Sequence, residues 1–466
     1  MQKNTKKRSI TKKSIIYTGG TIIASISMAL STFLYSKYTS PSNYGDFQLT
    51  LSIMMLLTTV GFLDIRTSTL RFMYGVGAEN ELDKKKAIYG GALILFLCSF
   101  LLFLSLYIAT KITYMPFPKE GLAWGLTYSI GYFYLFVTRG SDRELDYSIG
   151  YSIYFAVLVG LNIFFLSFKH YRAEYILLAM SLGEVAQIIY LEIRIGIIRK
   201  FKRKYIDKKI IMHMLKFSLP LAITALGTWI MSYYASIQIT YILGSSANGI
   251  YSMTMDFARA IPTATGGMIL AWQEISFARK SDENENVNRE FFTNSITTSF
   301  IFFSCFFIVF IPLMRLIMPF YLSEEYQPVG LFIALCSAGY VCECIGQVIA
   351  GVFGNDIDSK PLMFSTIAGS VFLIVFLPFF VNTYELYGAS LVCFISFSIT
   401  LLVKLLWLRI KKHYRLDILK LSLCLIIATI FGYLSTNGSY TTNIILFFLS
   451  LCIAIPMIRF TRKALK

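Results

Sequence analysis

Three arginines, Arg66, Arg259 and Arg315, stand inside long apolar runs of a 466-residue chain. A charge at bilayer depth costs about 2.5–3.5 kcal/mol on insertion scales, so such residues normally face a cavity or a partner and point to function. Arg259 follows Asp256 by three positions, and Ser252 and Thr263 share their helical face. Read as a site, Arg259 contacts an anionic group and Asp256 poises it. Read as structure, the two neutralise each other. Asp64, Thr67, Ser68 and Arg71 recur at i, i+3, i+4 and i+7, which lines one face of a single helix. At about 100° per residue, Arg66 then points roughly 200° away from Asp64. That stripe either faces a lumen or packs on neighbouring helices, with Arg71 snorkelling. Tyr340, Glu343 and Gln347 form another stripe, and Ser181, Glu184 and Gln187 a third. A buried carboxyl without a counter-charge is costly to ionise. Glu343 and Glu184 are therefore either proton- or sodium-coupling groups or neutral carboxyls bonded to a neighbouring helix. Tyr233 and Tyr234 follow Trp229, and their ring faces suit sugar rings as well as lipid packing. Arg315, shortly before Pro319, reads as an interfacial anchor.

Long apolar elements must position these groups. Hydrophobic residues make up 56% of the chain and charged residues 15%, against roughly a quarter charged in soluble domains. That excludes a water-soluble enzyme, a disordered chain and a disulfide scaffold. The eight cysteines sit in apolar runs without a CxxC pair, and only three histidines are present. The cysteines read as packing residues. A spanning helix needs about 20 apolar residues, and fourteen candidates follow: 14–36, 46–72, 87–110, 120–139, 147–168, 172–195, 213–243, 247–275, 291–318, 326–353, 361–382, 385–408, 416–435 and 441–459. The runs are continuous rather than alternating, which excludes a β-barrel. The basic N-terminal stretch followed by an apolar run mimics a signal peptide, but equally apolar segments follow, and an uncleaved first helix is expected.

Charge placement tests this topology. With the N-terminus inside, about 35 of the 43 Lys and Arg fall on cytoplasmic segments, including Lys404 in the segment 404–420. About five fall on outer loops: Lys37, Lys111, Lys119, Lys169 and Arg172. The bias follows the positive-inside rule and predicts cytoplasmic termini. It also accounts for the net charge of +17, so nucleic acid is not expected as a partner. The longest linker, Arg194 to Lys216, carries nine positive charges and suits contact with anionic lipid headgroups.

An offset of 204 lays Tyr38–Thr50 on Ile242–Thr254. Gly45 meets Gly249, Ser42 meets Ser246 and Thr50 meets Thr254. In both stretches a Ser/Asn/Gly turn joins two long helices. Six helices, a basic connector and six more helices make two lobes of equal orientation, as in alternating-access carriers with a substrate site between parallel repeats. The expected layout is an all-α polytopic membrane protein: a first lobe over 1–198, a connector over 199–212, a second lobe over 213–410, and two further helices over 411–466.

These features resemble the polysaccharide transporter family, the flippases for lipid-linked O-antigen and capsule repeat units within the multidrug/oligosaccharidyl-lipid/polysaccharide exporter superfamily. Tyr44, Gly45, Phe47 and Arg71 match its helix 1–2 turn and the basic end of its helix 2. FSLPL, Phe217 to Leu221, matches the opening of its helix 7. The resemblance implies an inward- and outward-opening fold in a bacterial inner membrane, with undecaprenyl-pyrophosphate-linked oligosaccharide as cargo and polymerase and chain-length proteins as partners. On that reading Arg66, Arg71 and Arg259 bind the pyrophosphate, because the guanidinium fork bonds two oxygens at once. Tyr233 and Tyr234 face the glycan. Asp64, Asp256, Glu343 and Glu184 poise charge or couple an ion. No GxxxxGK[ST] loop occurs, and no cofactor is expected. The driving force is then a proton or sodium gradient or the membrane potential, which gives roughly 2.3 kcal/mol per charge per 100 mV. A multidrug or metabolite exporter of the same superfamily is the alternative. A membrane-embedded polymerase or transferase is disfavoured, since no outer loop exceeds about a dozen residues.

Overall fold

A computed structural model describes residues 2–74, 81–109, 115–141, 143–166, 172–200, 206–278, 285–355, 360–414 and 416–464. Side chains of the basic N-terminal stretch, loop residues 75–80, Lys111, Lys169 and connector residues 201–205 lie outside the described residues. Among the described residues the regular structure is helical throughout. Ten stretches of the described residues are long and apolar enough to cross a membrane. One of them, Lys360–Lys411, has 52 residues. As a straight helix it would run about 78 Å, against a hydrocarbon core of about 30 Å. It turns at Glu385, whose φ is 50°, and so supplies the two segments expected at 361–382 and 385–408. The expected segments 14–36 and 120–139 also lie on helix, and 247–275 lies on two helices divided at Arg259.

The chain divides into two compact units, residues 1–39 with 43–237, and residues 40–42 with 238–466. The first is built from α1 (Gln2–Tyr38), α2 (Pro41–Phe62), α3 (Ile65–Tyr74), α4 (Glu81–Ala109), α5 (Pro118–Gly140), α6 (Glu144–Leu166), α7 (Glu174–Ile195), α8 (Ile197–Lys200) and α9 (Lys208–Trp229). A π-helical turn, Ile230–Tyr234, leads from α9 into α10 (Ala235–Leu243). Here α1 packs on α6, α7 on α5 and α6, and α9 on α3 and α4. By contact, α9 and the turn after it group with the first unit as far as Ile237. Asp207 caps α9, accepting from the Lys209 and Ile210 backbone N–H groups.

A buried carboxylate fastens one end of this unit. Asp146 Oδ1 accepts from Arg194 Nε at 2.8 Å and from the Tyr190 hydroxyl at 3.1 Å, while Arg143 Nε lies 2.8 Å from Oδ2. Both arginines are substantially exposed, which weakens each pair, but Asp146 itself is buried. Asp146→Ala is expected to lower the stability of the detergent-solubilised chain by about 1–2 kcal/mol, read from thermal unfolding, and Asp146→Asn by less. Equal unfolding curves for Asp146→Ala and wild type would show that the three donors find water instead.

The second unit holds α11 (Ser245–Ala258), α12 (Ala260–Ala278), α13 (Glu285–Tyr321), α14 (Val329–Asn355), α15 (Lys360–Lys411), α16 (Ile418–Asn437) and α17 (Tyr440–Ala464). Its central element is α14, which packs on α11, α12, α13, α15 and α16. Small residues permit that approach: Gly339 meets Phe397, and Gly346 meets Lys404. The two additional C-terminal helices pack on α13.

The register of the repeat is visible in the helix boundaries. Ser40 separates α1 from α2, and Gly244 separates α10 from α11, at the offset of 204. Gly244 has φ +89°, a conformation glycine adopts at little cost. Gly249 packs so closely on the Pro41 carbonyl oxygen that a Cβ would collide with it. That contact accounts for a glycine at 249, inside the first turns of α11.

Candidate functional site

Among the described residues, each unit carries a cluster of charged and aromatic side chains within otherwise apolar helices. In the first unit the cluster begins where α2 fails to continue. Leu63 and Asp64 have φ of 46° and 50°, left-handed values that side-chain-bearing residues seldom adopt and that cost energy to hold. The freed Leu63 carbonyl accepts from the Ser218 hydroxyl of α9. Asp64 then opens α3: its carbonyl accepts from the Thr67 N–H at 3.1 Å, and its Oδ1 accepts from the Thr67 hydroxyl at 2.9 Å and from Arg66 Nε at 3.2 Å. This overturns the expected single helical face over 64–71. The constant rotation per residue does not survive two left-handed residues, so Arg66 pairs with Asp64 instead of pointing away from it. Arg71 is exposed and Ser68 is buried, with its hydroxyl donating to the Ile65 carbonyl.

The Arg66 guanidinium lies 4.6 Å from the centre of the Tyr132 ring on α5, a cation–π distance. Glu184 on α7 is 6% exposed. It accepts from Gln187 Nε2 at 3.2 Å and packs against the backbone of Gly131 on α5, where no Cβ fits. Tyr128 lies within electrostatic reach of Arg66, Glu184 and Tyr233. Tyr233 and Tyr234 are half-buried in the π-helical turn, a local geometry frequent at functional sites. Trp229 before them donates from Nε1 to the Ser52 carbonyl at 3.0 Å.

The second unit repeats the composition of this cluster. Pro262 lacks an N–H, and its ring crowds the carbonyl four residues back. The helix breaks accordingly, between Ala258 and Ala260. Arg259 occupies the break. Its Nη1 lies 2.7 Å from Asp256 Oδ1, and its Nε donates to the Tyr340 hydroxyl of α14 at 2.9 Å. The Arg259 and Asp256 side chains remain 25% and 14% exposed. One turn along α14, Glu343 Oε1 accepts from Gln347 Nε2 at 3.2 Å. Lys404 of α15 donates to the Gly346 carbonyl at 3.4 Å and lies within electrostatic reach of Glu343. Arg315 is half-buried on α13, with Nη1 against Gly330 in the first turn of α14.

Both units thus hold an Asp–Arg pair against a tyrosine of a neighbouring helix, plus a Glu–Gln pair. Chemically, this offers guanidinium groups for oxyanions, phenols for hydroxylated ligands and carboxyls for protons or cations. No group of three His, Cys, Asp or Glu side chains that could hold a metal occurs among the described residues.

Residues 10–273 match the sequence profile of a family described as polysaccharide biosynthesis protein. The chain belongs to that family. No curated protein matches its sequence significantly. Solved structures place the polysaccharide biosynthesis chain in the fold of known carriers. An inward-facing multidrug MATE transporter of the MOP superfamily aligns with TM-score 0.66 and 15% identity, covering 88% of this chain and 98% of its own. An outward-facing MATE structure gives 0.62 and 16%, with coverage of 90% and 96%. The lipid II flippase MurJ, in an inward closed conformation, gives 0.64 and 18%, with coverage of 98% and 100%. The fold is the one these multi-pass membrane proteins share.

The structure adds two features that the residue pattern had left aside. Lys404, tallied with the basic cytoplasmic segment, lies inside α15 beside α14. Its apolar neighbours Leu401, Leu402, Val403, Leu405 and Leu406 were the available signal. The second is a row of rings on α5. Trp124, Tyr128, Tyr132 and Phe136 recur every four residues, the spacing that places side chains on one helical face.

Proposed function

We propose that this protein flips undecaprenyl-pyrophosphate-linked oligosaccharide repeat units from the inner to the outer leaflet of a bacterial inner membrane. The flipping proceeds by alternating access and serves O-antigen or capsule synthesis. The observation that carries this reading is the pair of arginines, Arg66 and Arg259, each kept partly exposed within apolar helices beside an aspartate and a tyrosine. A guanidinium so placed presents a planar fork to a pyrophosphate. Arg71 at the exposed end of α3 adds a third cation, and Tyr233 and Tyr234 contact the glycan. Asp64 and Asp256 hold their arginines in place, and Glu184 and Glu343 couple a proton or sodium ion. Polymerase and chain-length proteins receive the flipped unit. The family description favours glycan cargo over drugs. So does the extent of the MurJ alignment, which covers 98% of this chain against 88% for the inward-facing MATE structure.

With the cell interior negative, each unit of negative charge moving outward gains roughly 2.3 kcal/mol per 100 mV. Deleting the gene should therefore trap lipid-linked repeat units in the inner leaflet. In proteoliposomes, collapsing the potential with valinomycin and potassium should slow flipping several-fold. Normal surface glycan in the deletion strain, with no trapped intermediate and with raised drug sensitivity, would transfer the protein to the multidrug exporters.

A further inference from the structure

We propose that the ring row Tyr128–Tyr132–Phe136 on α5 is a stacking rail for the sugar rings of the cargo, with Trp124 as its buried end. This rests on the proposed glycan cargo and specifies where the glycan lies. Successive ring centres are 5.0, 5.3 and 5.2 Å apart, with interplanar angles of 26°, 32° and 35°. Trp124 and Tyr128 are stacked, whereas the Tyr128–Tyr132 and Tyr132–Phe136 pairs are tilted, so the outer rings do not lie flat on one another. Trp124 is 1% exposed, whereas Tyr128, Tyr132 and Phe136 are half-buried. Over twelve residues the row extends about 18 Å along the helix.

The surroundings distinguish this row from ordinary apolar packing. Phe302, Phe306 and Phe310 form a comparable row on α13, with centres 6.5 and 5.9 Å apart. That row is all phenylalanine. The α5 row carries two phenols, has the Arg66 guanidinium over Tyr132, and places Glu184 within electrostatic reach of Tyr128. Charged groups of this kind avoid acyl chains. A second file on α6, Tyr147 and Tyr151 with centres 6.1 Å apart, also lies within reach of Tyr128 and Tyr132. Pyranose rings present C–H faces that lie against aromatic faces and hydroxyls that bond to phenols. An oxyanion on Arg66 therefore sets the first sugars against Tyr132 and Tyr128. Recognition through ring faces reads sugar size and stacking more than the pattern of individual hydroxyls.

The test uses the full-length protein in nanodiscs and two probes: undecaprenyl pyrophosphate, and the lipid-linked repeat unit extracted from the same bacterium. Wild type should bind the glycan-bearing lipid more tightly. Tyr128→Leu should lose about tenfold of that preference, the effect of one good ring contact, with little change for undecaprenyl pyrophosphate. Tyr128→Phe should restore most of the preference, because the ring face is what counts. Phe306→Leu, on the apolar row, should alter neither affinity. The rail is overturned if wild type binds both lipids equally, if Tyr128→Leu keeps the preference or weakens both lipids alike, or if Tyr128→Phe fails as badly as Tyr128→Leu. Binding of neither lipid by wild type would remove the cargo assignment itself, and the rail with it.

Discussion

Replacing Arg259 by alanine should reduce repeat-unit flipping by at least about a hundredfold while the protein still reaches the membrane. A hydrogen bond to a charged group contributes about 1.5–3 kcal/mol, and a fork engaging two oxygens contributes roughly twice that. A loss near 3 kcal/mol at the rate-limiting step is more than a hundredfold in rate. Arg259→Lys keeps the charge but replaces the planar fork with a point donor, so it should recover activity only in part. The rival explanation is structural: Asp256, 14% exposed and 2.7 Å from Nη1, loses its counter-charge when the arginine goes. The charge swap Asp256→Arg with Arg259→Asp separates the two. A merely structural pair should work in either order, whereas a ligand site should stay inactive because the guanidinium has moved by nearly one turn. Flipping rates in proteoliposomes, normalised to folded protein by size-exclusion chromatography, give the readout. Wild-type flipping by Arg259→Ala would remove this arginine from the site.

The helical bundle was legible in the amino-acid order because bilayer thickness sets a length that apolar runs must meet. The turns of the repeat were legible too, since Ser40 and Gly244 interrupt their helices at matching positions. The interior sites were legible in composition but less so in geometry. Asp256 and Arg259 pair as their spacing implies, because the helix runs unbroken from Asp256 to the break at Arg259. Asp64 and Arg66 pair against expectation. Nothing in GFLDIRTS announces two left-handed residues, and Ser218, 155 positions later, supplies the hydroxyl that meets the freed carbonyl. Strain held by a distant contact leaves little local signature. The α5 ring row had the opposite character. Its period of four is plain in the sequence, but only the neighbours Arg66 and Glu184 separate it from a lipid-packing stripe.

Lys404 and Glu343 place a second set of opposite charges inside the second unit. Glu343→Gln is expected to lower stability by about 2–3 kcal/mol, because it leaves an ammonium in the α14–α15 contact without a nearby opposite charge. The Gly346 carbonyl at 3.4 Å is the hydrogen-bond acceptor that Lys404 retains. Lys404→Met should cost less, since Gln347 still donates to Glu343 at 3.2 Å. The double variant, Glu343→Gln with Lys404→Met, should recover most of the loss, giving a coupling energy of at least about 1 kcal/mol between the two sites. Chemical or thermal unfolding of the four proteins in one detergent measures the cycle. Additive effects would mean that the two charges do not interact, and the lysine would then be a snorkelling side chain whose head reaches water. Strong coupling has a functional consequence. A carboxylate already neutralised by a lysine has less need of a sodium ion, so flipping should persist when sodium is replaced by choline. In Lys404→Met the same replacement should slow it, because a soluble cation or a proton must then take the place of the tethered one.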